Sequence, residues 1–144
     1  MQRTLLFLAA LLFVSSVAGV TRSTVYAQDK TTAAGVYTEA QAKRGQQIYT
    51  DTCAMCHGPD LKGTATIPGL AGMEFEGFWR DQPLGDLFEK ISVTMPKSAP
   101  GSLKPEQAAD VLAYLLSEMK EPTGQADLSA KPDDLKAIKI QAKQ

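Results

Sequence analysis

The sequence is poor in residues that bind metals or form disulfides: it contains two cysteines, Cys53 and Cys56, and one histidine, His57. A structural zinc site takes about four such ligands, so these three neighbouring residues are too few for one. A disulfide between the two cysteines would close a very short loop and remove little conformational entropy from the unfolded chain. A thioredoxin-like redox pair needs a βαβ setting, which the sequence lacks. The two cysteines must therefore be explained together with the histidine.

Long apolar runs are also scarce, and the one that occurs is N-terminal. Arg3 gives a positive start, an almost unbroken apolar run follows at 5–20, and the small-residue pattern Val25-Tyr26-Ala27 comes next. This order predicts a secretory signal peptide, residues 1–27, and hence a periplasmic protein. The run is shorter than the roughly 20 residues that a membrane-spanning helix needs. Retention as a membrane anchor and cleavage after Ala18 are the alternatives.

The predicted mature chain starts at Gln28 and has 117 residues, enough for one small domain and too few for two. Its 13 basic and 16 acidic residues give a net charge of −3. It has no basic tract and no basic-aromatic stripe, which argues against nucleic acid as a partner. We divide it into a flexible arm (28–36), a domain (37–120) and a polar C-terminal tail (121–144) with one predicted turn of helix at 133–138.

The apolar pattern predicts an all-α fold with almost nothing strand-like. Thr38 and Gln41 have the spacing of a capping box, which predicts a first helix that starts there and runs into the cysteine pair. Apolar residues at helical spacing predict a short helix over 83–93 and a longer one over 105–120. Glycine and proline make 58–77 a predicted loop. A loop of about 20 residues is uncommon in a compact domain unless something organises it.

The sequence Cys53-Ala54-Met55-Cys56-His57 is typical of an attachment site for c-type haem. Two thiols three positions apart, at the end of a helix, can bond to neighbouring vinyl groups on one side of a porphyrin. The histidine that follows can then turn its imidazole beneath the iron. The motif uses both cysteines and the only histidine of the chain. We therefore predict one haem c, attached covalently through Cys53 and Cys56.

From residue 37 to residue 120 the chain resembles the class I c-type cytochromes. Besides the haem motif, the resemblance is carried by residues on the first and last predicted helices, namely Gly45, Tyr49, Val111, Tyr114 and Leu115. It implies three to four helices wrapped around one covalently bound haem. It also implies that the first and last helices cross at nearly a right angle, with the glycine letting them approach closely.

The resemblance implies two further cofactor-binding residues. Pro68-Gly69-Leu70 resembles the family's Pro-x-Leu, so the Pro68 carbonyl is expected to accept the second ring hydrogen of His57 and to fix its tautomer. The alternative is an ordinary turn proline. Trp79 is expected to pack at the haem edge and to donate its indole N–H to a propionate, as tryptophans do in some relatives. Its alternative is a core aromatic residue.

The second axial ligand must be another residue type, because the only histidine is already used. A methionine thioether is soft and suits haem iron. Met95 is the favoured ligand: it lies 38 residues past His57, in backbone kept extended by Pro96, and Met95-Pro96 matches the family's Met-Pro motif. Met73, in the glycine-rich loop, is the alternative. The other two methionines that follow the signal peptide are expected not to bind iron: Met55 and Met119.

Histidine and methionine together fill both axial positions and leave no open site for a substrate. We therefore predict an electron carrier, not an enzyme, with no catalytic residues and with redox partners such as a dehydrogenase or a terminal oxidase. A labile sixth ligand would instead make the protein a gas sensor or a weak peroxidase. The stretch 84–116 is similar to small cytochromes that accompany quinoprotein dehydrogenases, so the haem subunit of a periplasmic dehydrogenase is the other alternative.

Overall fold

The structure, a computed structural model, describes residues 30–141 and confirms the all-α class. The predicted signal peptide, residues 1–27, lies outside the described residues. Within the described range no helix is long and apolar enough to cross a membrane. The elements in chain order are β1 (Lys30–Thr31), a 3-10 turn (Thr32–Ala34), α1 (Glu39–Thr52), α2 (Ala54–His57), α3 (Met73–Trp79), α4 (Leu84–Thr94), α5 (Pro105–Glu118), α6 (Pro132–Lys136) and β2 (Ile138–Lys139).

Helix α1 begins where the capping pattern predicts. The Thr38 hydroxyl oxygen accepts the N–H of Gln41 at 3.1 Å, which satisfies one of the free donors of the first turn. The Gln41 side chain makes a different contact from the one that a capping box requires. Its amide nitrogen donates to the carbonyl of Leu128 at 3.1 Å, and its amide oxygen accepts the N–H of Leu128 at 2.6 Å. The predicted capping glutamine therefore ties the C-terminal tail to α1.

Helices α1 and α5 pack closely at Gly45. A Cβ atom at this position would lie 1.8 Å from the carbonyl oxygen of Asp110, so only glycine lets the two backbones approach this far. One turn further along α1, the Tyr49 ring lies 5.3 Å from that of Tyr114, centroid to centroid. The apolar residues predicted on one stripe of α5 are all buried: Ala108, Val111, Leu112, Leu115 and Met119, with Tyr114 beside them.

Helix α4 confirms the short helix predicted at 83–93, and its four predicted apolar residues are buried: Leu84, Leu87, Phe88 and Ile91. Helix α3 begins near the end of 58–77, the segment predicted to be mostly loop, and was not itself predicted. It has seven residues and buries only Phe75, so its apolar periodicity is too short to be recognised among the glycines around it.

The flexible arm predicted at 28–36 is instead packed in place from Lys30 onward. Strand β1 pairs in parallel with β2, near the other end of the described chain. Thr32 is fully buried, and its hydroxyl accepts the N–H of Gln141 at 2.9 Å. These contacts join residues more than one hundred positions apart, so local composition carries no sign of them. The two strands have only two residues each, which agrees with the prediction of almost no strand.

The C-terminal tail also packs against the helices. We call residues 124–141 the strap, because they run from the start of α1 to the start of α4. The turn of helix predicted at 133–138 forms as α6, which begins one residue earlier, at Pro132, and ends at Lys136. The strap is polar in composition, yet each of its four large aliphatic side chains is buried: Leu128, Leu135, Ile138 and Ile140.

Candidate cofactor site

The two thiols lie at the junction of α1 and α2. The backbone N–H of Cys53 donates to the carbonyl of Tyr49 at 2.8 Å, which closes the last turn of α1. The N–H of His57 donates back to the carbonyl of Cys53 at 2.9 Å, so one further helical turn holds both thiols and the imidazole. Cys53 is half-buried, Cys56 is exposed, and neither thiol is in a disulfide. The pair is therefore available for covalent attachment to another group.

His57 is buried, and one of its ring nitrogens already has a partner. Its Nδ1 lies 2.9 Å from the carbonyl oxygen of Pro68. A carbonyl oxygen only accepts hydrogen bonds, so Nδ1 must carry the proton. In the neutral imidazole the other ring nitrogen, Nε2, is then the one without a proton, which can bind a metal. The structure thus brings together the histidine and the proline that the resemblance pairs.

Backbone hydrogen bonds organise the segment that carries Pro68 to the histidine. The N–H of Gly63 donates to the carbonyl of His57 at 2.8 Å, and the N–H of Leu70 donates to that of Leu61 at 2.7 Å. Gly63 has φ +69°, and a Cβ atom there would lie 2.2 Å from the carbonyl oxygen of Ile67. These hydrogen bonds and the close approach at Gly63 give the long loop a defined path.

Tyr49 is a site residue that sequence reasoning missed in this role. Its hydroxyl donates to the carbonyl of Gly58 at 2.6 Å and so links α1 to the residue after His57. Tyr49 lies one helical turn before Cys53, on the buried side of α1. This spacing is the sequence feature that could have indicated a role beside the haem motif. Only the structure shows that the hydroxyl reaches the loop.

Replacing Tyr49 by phenylalanine is expected to lower the free energy of unfolding by about 1 kcal/mol at pH 7, because the hydrogen bond to Gly58 is lost. Burial raises the pKa of the Tyr49 hydroxyl to about 12. A tyrosine in the unfolded chain ionises at about pH 10. Between pH 10 and pH 12 the unfolded chain therefore loses this proton while the folded protein keeps it, and the stability of the wild type falls. The variant lacks this contribution, so its stability should fall less over that range.

Urea unfolding of both proteins at pH 7, 10 and 11 measures the two effects. If the free energy of unfolding falls equally above pH 10 in the wild type and in Tyr49→Phe, Tyr49 does not contribute to the loss of stability at alkaline pH. An unchanged stability at pH 7 would show that the bond to Gly58 does not stabilise the loop.

Met95 lies where the proline pattern predicts, just beyond the last residue of α4. Its backbone is extended, with φ −119° and ψ 155°, and its side chain is partly buried. Met73, the alternative ligand, is the first residue of α3 and is 93% exposed. Met119 is in the core, as predicted, and Met55 is exposed. The assignment of Met95 as axial ligand stays a prediction.

Trp79 is the last residue of α3 and is half-buried against the core. Its ring contacts two phenylalanines, with centroids 6.3 Å from Phe75 and 5.2 Å from Phe78. Beside it runs a shallow groove along α4, which includes Val93 and Thr94, the two residues before Met95. These contacts fit both a core aromatic residue and one at a cofactor edge. The bond from its indole to a propionate stays a prediction.

The fold and the motif together define a small helical protein built around a covalently attached porphyrin. Residues 42–118 match the profile of the cytochrome c family, and the chain belongs to this family. It is 33% identical over 94 residues to cytochrome c-551 of Bacillus subtilis (strain 168), an alignment that covers 65% of this chain and 78% of that protein.

A chain in the crystal structure of the sulfane dehydrogenase SoxCD from Paracoccus pantotrophus is similar at 16% identity and a TM-score of 0.49. The match covers 75% of this chain, which spans 62% of the length of that one.

Membership of the family gives the cofactor: one haem c, attached covalently through Cys53 and Cys56. The donor set of this structure fits that group. Both thiols are unpaired, and the imidazole that follows them is held by its Nδ1, which leaves Nε2 for the iron. A thioether, the soft ligand that suits haem iron, lies at the end of α4 at Met95.

Proposed function

We propose that this protein is a periplasmic electron carrier in which His57 and Met95 are the two axial ligands of the haem iron. When bound, haem c supplies a one-electron iron couple, and methionine ligation raises its reduction potential. Cys53 and Cys56 anchor the group covalently. The observation that carries the proposal is the 2.9 Å bond from His57 Nδ1 to the Pro68 carbonyl, beside two unpaired thiols.

The roles of the chain's own residues follow from their chemistry. The carbonyl of Pro68 holds the His57 ring in one orientation and in the tautomer whose free nitrogen is Nε2. The Met95 thioether would be the second protein ligand of the iron and would keep water and small molecules from binding there. Trp79 binds a propionate through its indole N–H. Because both axial positions are taken by protein, electron exchange with a partner is the function that remains.

Location and partners complete the proposal. The N-terminal pattern of a positive residue, an apolar run and a small-residue site supports export to the periplasm, with residues 1–27 as the signal peptide. The donor and the acceptor are other redox proteins, such as a dehydrogenase or a terminal oxidase. The mature chain is not expected to span a membrane.

Intact mass and absorption spectra of the exported protein test the proposal. Made in a host that matures c-type cytochromes, the wild type should weigh one haem more than its mature polypeptide and show the reduced spectrum of haem c. The double variant Cys53→Ala/Cys56→Ala should have the polypeptide mass alone, because no thiol remains to form a thioether.

Met55→Ala is the matched control, since this residue lies between the cysteines and its side chain is exposed. It should keep the full mass and spectrum of the wild type. Wild-type protein that is colourless, or that retains residues 1–27, would contradict the attachment and the export respectively.

A further inference from the structure

The strap is fixed at its first end to the start of the domain. The N–H of Gly124 donates to the carbonyl of Tyr37 at 2.6 Å. A Cβ atom at Gly124 would lie 2.0 Å from the carbonyl oxygen of Gly35, so the two backbones touch. A few residues later the two hydrogen bonds between Leu128 and Gln41 join the strap to α1. This end of the strap is therefore anchored to the start of α1, the helix that leads into the haem motif.

The other end of the strap is fixed to the turn between α3 and α4. The N–H of Ile140 donates to the carbonyl of Gln82 at 3.0 Å, and the N–H of Asp81 donates to the carbonyl of Ile140 at 2.9 Å. Pro83, directly before α4, forms a bridge with Lys139 in the same stretch. Ile140 is fully buried. The entry into α4 is thus held by the strap through backbone hydrogen bonds.

Between these ends, α6 packs on the first turn of α4 at Gly85. A Cβ atom at Gly85 would lie 2.8 Å from Cγ of Lys136, 3.0 Å from its backbone nitrogen and 3.2 Å from the carbonyl oxygen of Pro132. Leu135, at the centre of α6, is fully buried. The backbone of α6 approaches Gly85 this closely because glycine has no side chain, so the position of α6 and that of α4 are coupled.

Helix α4 carries this coupling to Met95. The helix has 11 residues and is therefore about 16 Å long. Its first turn touches the strap, and Met95 follows its last residue. A helix of this length is stiff, so a displacement of its first turn at Gly85 also displaces the backbone of Met95.

We infer that the strap is a positioning element for the axial methionine: it links the helix before the histidine to the helix before Met95. This inference rests on the proposed function, in which Met95 binds the iron. The effect of the strap passes through α1 and α4. Its loss weakens methionine ligation before it unfolds the domain.

Competition by imidazole at fixed pH measures how firmly the methionine is held. Gly85→Ala pushes α6 away from α4, so imidazole should displace the methionine more easily. We expect the apparent affinity of the ferric protein for imidazole to rise about tenfold, the scale of effect of an overpacked helix contact. Gly77→Ala is the matched control, because a Cβ atom at Gly77, in α3, meets nothing within 4 Å. Its imidazole affinity should stay within about twofold of the wild type.

The Met95→Ala background separates positioning from general loosening. If the strap acts through Met95, Gly85→Ala changes imidazole affinity in the wild type and leaves it unchanged in Met95→Ala, as a double-mutant cycle requires. An equal rise in both backgrounds would overturn the inference, and so would a lower urea midpoint with unchanged imidazole affinity. Should Gly85→Ala fail to fold, Leu135→Ala disturbs the same contact from the side of the strap and is judged by the same outcomes.

Failure of the proposed function has its own signature. A wild-type ferric protein that lacks the methionine-to-iron charge-transfer band would show that Met95 is not a ligand. A wild type that has the band, combined with an unaffected Gly85→Ala, would reject only the role of the strap.

Discussion

Replacing Met95 by alanine is expected to convert the ferric iron from low spin to high spin, since alanine has no donor atom and leaves the position opposite His57 to water. The reduction potential should fall at the same time, because a thioether sulfur favours the ferrous state. We expect a fall on the order of 0.1–0.3 V, within the roughly 0.8 V over which axial ligands set haem potentials. Absorption spectra of both oxidation states and a redox titration measure these effects.

Met73→Ala is the control, because this methionine is the alternative ligand and is almost fully exposed at the start of α3. Its spectrum and its potential should equal those of the wild type. If Met73→Ala becomes high spin while Met95→Ala stays low spin, the ligand assignment is reversed. A wild type that is itself high spin would favour the gas sensor or weak peroxidase over the carrier, since its sixth position would be open.

The main helices could be predicted from the sequence because their signals are local. Thr38 marks the start of α1, and prolines mark the starts of α4 and α5. The apolar residues of α4 and α5 recur at helical spacing over two turns or more, which is long enough to be recognised. Pro96 keeps Met95 out of the helix, and the structure confirms its extended backbone.

The arm and the strap could not be predicted because their order comes from long-range pairing. Thr32 and Gln141 are 109 positions apart, and Gln41 and Leu128 are 87 apart. A polar composition normally indicates a segment that buries little apolar surface. Here four aliphatic side chains are spread through a polar strap, at spacings of seven, three and two positions, so no single period is sustained. They are buried only because α1, α4 and β1 are already in place.

The candidate site was predicted in its chemistry but not in its supports. The motif from Cys53 to His57 is a local pattern with one known use, so its residues identify the cofactor. The partner of His57 at Pro68 followed from the family resemblance, and the structure brings the two together. The Tyr49 hydroxyl supports the site through the carbonyl of Gly58, and the strap supports it, by our inference, through α4. No short pattern marks a residue that acts through a backbone carbonyl or through a second helix.

Gly45→Ala is expected to cause a large loss of stability. The new Cβ atom would lie 1.8 Å from the carbonyl oxygen of Asp110 and 2.4 Å from its carbonyl carbon. These are backbone atoms, so no side-chain rotation relieves the overlap, and α1 must move away from α5. Alanine is the better helix former by about 1 kcal/mol, which is too little to offset this.

The separation of α1 from α5 also weakens contacts on both sides of Gly45. Arg44 donates two hydrogen bonds to the Asp110 carboxylate, at 3.1 and 3.0 Å, and the Tyr49 ring packs on Tyr114. We expect the free energy of unfolding to fall by about 3 kcal/mol or more, the upper part of the range for overpacked interiors. For a small domain that is stable by about 5–15 kcal/mol, this is a large fraction of the total.

Urea unfolding of the haem-loaded proteins, followed by circular dichroism, measures this loss, with Gly77→Ala as the control. Both substitutions add one methyl group to a helical glycine, but at Gly77 the new Cβ atom meets nothing within 4 Å. Gly77→Ala should therefore be neutral or stabilising by up to about 1 kcal/mol. A loss below about 1 kcal/mol in Gly45→Ala would mean that α1 and α5 can separate at little cost.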